Sequence, residues 1–62
     1  MTAGDRILII KRDGGRAINR HATVLGYDGP QLAVRFDGAD GRWLLNPTAP
    51  NLTIIPTGRT RP

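Results

Sequence analysis

Apolar and polar residues alternate along this chain with a period of two, in short runs that Gly and Pro interrupt. The clearest run covers residues 31–36, where Leu32, Val34 and Phe36 fall on one face and Ala33 and Arg35 on the other. Residues 22–27 repeat the pattern, with Ala22 and Val24 inward and Thr23, Leu25 and Tyr27 opposite. In residues 5–11, Ile7 and Ile9 take the inward positions, which turns Leu8 and Ile10 outward. Residues 42–46 and 52–55 complete five predicted strands. Helical spacing of apolar positions is never sustained without an intervening Gly or Pro.

Eight Gly and five Pro place turn chemistry at nearly every strand boundary, and that punctuation predicts a small all-β, five-stranded antiparallel barrel. Residues 27–30, Tyr-Asp-Gly-Pro, read as a tight hairpin turn, residues 37–41 as a slightly longer one, and residues 46–51 as a compact turn. Residues 12–21 read as a long first loop, partly extended. The expected barrel covers residues 1–56, and residues 57–62 form a disordered tail. A first strand that is apolar on both faces needs cover on both. Leu8, Ile10 and Leu25 are therefore expected either to lie under the first loop or to form an interaction surface for another copy or a protein partner.

Two stretches carry a family resemblance. G-D-R-I-L-I-I, residues 4–10, resembles the opening G-D-x-V pattern of SH3-like small barrels. A-T-V-L-G-Y-D-G-P-Q-L-A-V-R-F-D-G, residues 22–38, is similar to the A-x-V…V-x-F-x-D-G core of the Tudor-type members and compatible with KOW-type modules. The resemblance covers residues 4–55 and implies a five-stranded SH3-like barrel, without specifying a ligand. Tudor readers of methylated side chains surround the cation with several rings. This chain has only Tyr27, Phe36 and Trp43, none in the first loop. The KOW pattern has a glycine where Ala22 stands. A basic first loop also differs from the aromatic and acidic lining of proline-rich-peptide sites.

Charge adds the functional expectation. The chain carries nine Lys and Arg against five Asp, a formal +4, which favours anionic partners. Lys11, Arg12, Arg16 and Arg20 crowd around the first loop, and Gly14 and Gly15 expose backbone N–H groups there. These four cations are the candidate phosphate contacts, with Arg42 and Trp43 as outlying support and Arg35 as an extension. Trp43 or Tyr27 would offer a platform for unpaired bases. Asp28, Asp37 and Asp40 occupy the two hairpin turns, which predicts an acidic end and a basic end.

Other chemistry is poorly served. With no cysteine, disulfides and Cys-based zinc sites are excluded. The single His21 has neither a serine nor a cysteine to activate, since the chain contains none. D-G-A-D-G, residues 37–41, lacks the further oxygen ligands of a calcium loop. No cofactor, metal or catalytic residue is expected. An apolar run of about 18 residues, the length of a membrane span, is absent. The opening M-T-A-G-D-R does not read as a leader peptide, and the lack of cysteine makes a reducing cytoplasm the expected setting. The sequence thus points to a non-enzymatic binding module for nucleic acid, DNA or RNA, with a homo-oligomer or protein-interaction module as the alternative.

Overall fold

The computed structural model describes residues 1–59. Five strands follow in order: β1 (Asp5–Asp13), β2 (Arg16–Asp28), β3 (Gln31–Phe36), β4 (Trp43–Leu45) and β5 (Leu52–Arg59). They form one antiparallel sheet in the order β4-β3-β2-β1-β5. The protein is all-β, and its strand arrangement is compatible with an SH3-like barrel. Its two edge strands are not hydrogen-bonded to each other, so the sheet does not close through its backbone. Side chains join the edges instead. Leu45 of β4 and Leu52 and Ile54 of β5 pack against one cluster with Ile7, Ile9, Ala22, Val24, Leu32 and Val34.

The period-two reading holds in this core. Ile7, Ala22, Val24, Leu32 and Val34 are fully buried, and Ile9 nearly so. Phe36 packs against the cluster but is only partly buried. Ala33, on the opposite face of β3, is buried as well. No helix among the described residues is long and apolar enough to cross a membrane.

The first connection differs from expectation. Residues 12–21 are not a loop: β1 and β2 continue past the core as a ladder that runs to Asp13 opposite Arg16. Only Gly14 and Gly15 turn the chain, with φ of +58° and +83°. Two successive positive φ values define the hairpin turn whose twist matches the flanking strands, and glycine adopts both at no steric cost. The Gly-Gly pair therefore converts a charged segment into an extended β-arm. Every residue from 11 to 20 is exposed, and the molecule is correspondingly elongated, 38 × 24 × 20 Å. The backbone N–H of Arg12 donates to the Asn51 carbonyl at 2.9 Å, tying the root of the arm to the β4–β5 turn.

The 13-residue β2 serves two partners, pairing with β1 through Arg16–Thr23 and with β3 through Ala22–Asp28. A bulge between Val24 and Gly26 bends it, since an extra residue on one strand tightens the local twist. Gly26 accommodates the bend at φ +141°. The predicted β3 matches residue for residue, β4 is one residue shorter at each end, and β5 continues to Arg59. The expected boundary between barrel and tail, at 56/57, thus lies inside β5; residues 60–62 fall outside the described residues.

Leu8 and Ile10 do face outward, and with no first loop to cover them they stay half-buried. Leu8 lies across from Ile55, itself 41% exposed, and Ile10 from Thr53. Leu25, also half-buried, occupies the β2 bulge beyond the β1–β2 ladder, so it does not join that strip by register.

Candidate nucleic-acid interface

Cross-strand register decides which charges of the arm act together. Residues directly opposite in an antiparallel pair project to the same face. Ile9 faces Arg20, Lys11 faces Ile18, and Asp13 faces Arg16. Lys11, Arg16 and Arg20 therefore share the face that continues the core side of the sheet. Arg12, opposite Ala17, lies on the other face. The four cations predicted as one cluster are split three to one.

Where that face leaves the core, it borders a cleft of about 320 Å³ lined by Ile9, Lys11, Ile18, Arg20, Phe36, Trp43, Leu45 and Leu52. All five strands contribute. The Arg20 guanidinium carbon sits 4.8 Å from the centre of the Phe36 ring, within the range of a cation–π contact. Phe36 in turn meets Trp43 edge to face, with centroids 6.0 Å apart and planes at 63°, an arrangement that ring quadrupoles favour. Arg20 is thus held against an aromatic pair. Trp43 keeps 53% of its surface exposed. Lys11 and Arg20 are diagonal neighbours on the β1–β2 ladder, a spacing of roughly 7–8 Å.

A second hollow, about 270 Å³, lies at the tip of the arm between Arg12 and Ala17. Six consecutive residues of the turn form its whole wall. It offers charge but no aromatic surface, so the cleft at the root of the arm is the better developed site.

Ion pairs elsewhere sharpen the contrast. Arg6 makes a bidentate pair with Asp37, one arm at 2.6 Å, and also donates to Thr23 Oγ1 at 2.8 Å. The hydrogen bonds from Arg6 hold the Asp37 carboxyl below the usual carboxylate range and raise the Arg6 guanidinium in return. Arg42 Nη2 lies 3.6 Å from Asp28 Oδ2. Two of the three turn acids are therefore neutralised by local partners. Among the described residues, Lys11, Arg12, Arg16 and Arg20 make no ion pair with a carboxylate within 4.0 Å. With Asp13 as its one acid, the arm carries +3 of the formal +4.

The structure brings Lys11, Arg20 and Trp43 to one cleft and sets Arg16 further out on the same face. It directs Arg42 to Asp28 at the β2–β3 turn, away from the cleft lining. Arg35 is exposed opposite Thr23 on the outer face, and exposed Tyr27 is not part of the cleft. Sequence reasoning missed Phe36, which alternation had assigned wholly to the core, and Ile18, Leu45 and Leu52. The signal for Ile18 was present: Ile18, Arg20 and Ala22 share a parity that continues the β2 core face into the arm. No protein family, characterised protein or solved structure is detectably similar to this chain.

Proposed function

We propose that this protein is a non-enzymatic nucleic-acid-binding module of SH3-like architecture that works in the cytoplasm, with the β1–β2 arm and the cleft at its root as the contact surface. One observation carries the reading: Lys11, Arg16 and Arg20 lie on one face with Asp13 as its one acid, make no ion pair within 4.0 Å among the described residues, and lead into a cleft lined by an exposed Trp43. Cations that are not tied up in ion pairs can release condensed ions from a phosphate backbone, and that release supplies most of non-specific affinity. The aromatic cleft adds a surface that stacks with bases of any sequence.

Titration with single- and double-stranded DNA and RNA at low and near-physiological salt tests the reading. Binding should weaken steeply as salt rises; no binding to any of them at about 50 mM salt refutes it.

A second reading, self-association or a protein partner, rests on the outer strip where Leu8 lies opposite Ile55 beside half-buried Ile10. An exposed apolar strip beside the edge strand β5 is a surface that burial would stabilise. Sedimentation of the free chain at rising concentration tests it, and a strict monomer refutes the self-association form.

A further inference from the structure

Four observations converge on the cleft. Its volume of about 320 Å³ is at the lower end of the roughly 300–1,000 Å³ typical of small-ligand sites, enough for one planar ring system and too small for a duplex. The indole of Trp43 is half exposed yet anchored by an edge-to-face contact with Phe36. Arg20 is held over the other aromatic of the pair. Lys11 reaches the same opening from β1.

On the basis of the nucleic-acid reading above, we propose that the cleft is a one-nucleotide subsite for single strands. An unpaired base stacks on Trp43 against the apolar walls of Ile18, Leu45 and Leu52, while Lys11 and Arg20 hold the adjoining phosphate. The pairing of chemistries follows the ligand: a nucleotide has one flat apolar face and one anionic neighbour, and the cleft has one exposed indole and two cations. A duplex cannot fill the subsite, because stacked base pairs present only their edges to a protein. Arg20 approaches with part of its orientation already fixed by Phe36, so less side-chain freedom is lost on binding.

The chain contains a single tryptophan, so its emission reports on this subsite alone. The test uses the full chain and three unlabelled ligands of equal length: an oligothymidylate of about 12 nucleotides, within the roughly 4–16 that small single-strand-binding barrels cover, its blunt duplex with oligoadenylate, and an abasic phosphodiester. Binding is followed by calorimetry and stacking by Trp43 emission. The oligothymidylate should quench Trp43 and bind more tightly than the other two. Trp43→Ala should weaken its binding about 5- to 150-fold, the equivalent of roughly 1–3 kcal/mol per stacked base, and Trp43→Phe should restore part of the loss. Calorimetric binding without quenching, or equal affinity for the abasic chain or the duplex, overturns the subsite and leaves the broader reading standing. Absence of binding by all three ligands overturns the subsite, and if single- and double-stranded RNA also fail to bind, the broader reading falls with it.

Discussion

Lys11 and Arg12 are neighbours in sequence that the β1–β2 register places on opposite faces of the arm, and this separates a directed surface from a diffuse charge. Replacing either with Gln removes one positive charge from an exposed position, where the effect on stability is within about 0.5 kcal/mol. If a single strand lies along the face shared by Lys11, Arg16 and Arg20, three phosphates are neutralised. The slope of log affinity against log salt is then about −0.7 per contact, or about −2 in all. Affinity of the parent chain should fall about 18-fold between 50 and 200 mM salt. In Lys11→Gln two contacts remain, the slope drops to about −1.4, and the fall is about 7-fold over the same range. Arg12→Gln should keep the parent slope. Fluorescence anisotropy with a labelled single strand at several salt concentrations measures all three. Equal loss of slope in the two variants would refute the one-sided surface, because charge alone, independent of face, would then account for binding.

Three further outcomes are expected. Leu32→Ala, which empties a fully buried site, should cost about 2–5 kcal/mol. Against a total of roughly 3–9 kcal/mol for a chain this short, the urea midpoint should fall sharply or the variant should be unfolded in buffer; a loss under about 1 kcal/mol would contradict the assigned core. Asp37→Asn should lower the melting temperature at neutral pH by removing the charged partner of Arg6. The native carboxyl is held below its ordinary value of 3.8, so its contribution is present above that value and disappears as pH falls through the lowered native one. Melting curves of parent and variant should therefore converge at strongly acidic pH, and a gap that persists there would rule out the ionised pair as its source. Gly15→Ala should destabilise the turn by about 1–2 kcal/mol, since φ of +83° is strained for an L side chain. Amide exchange should accelerate in the arm and stay unchanged at Ile7, Val24 and Val34; unaltered exchange in the arm would count against the two-glycine turn.

Local chemistry made much of this fold legible. Period-two alternation identified Ile7, Ile9, Ala22, Val24, Leu32 and Val34 as core positions, because a half-buried strand has no other way to separate oil from water. Gly29 and Pro30 closed the β2–β3 hairpin where their backbone preferences put it. The arm was misread for a physical reason. Dense charge suggested a solvated loop, whereas Asp13-Gly14-Gly15-Arg16 carries the turn glycines of a two-residue hairpin and the alternation of Ile18, Arg20 and Ala22 continues through it.

The sequence by itself determined an all-β chain, its core positions and the concentration of positive charge near its first turn, since each depends on the residue and its close neighbours. Tertiary structure alone decided that Lys11 sides with Arg20 while Arg12 faces away, that Arg42 turns to Asp28, and that Trp43 meets Phe36 at the arm's root. Those relations depend on cross-strand register and on how a bent sheet brings its edges together. A slip of one residue inverts every face while leaving composition and alternation unchanged.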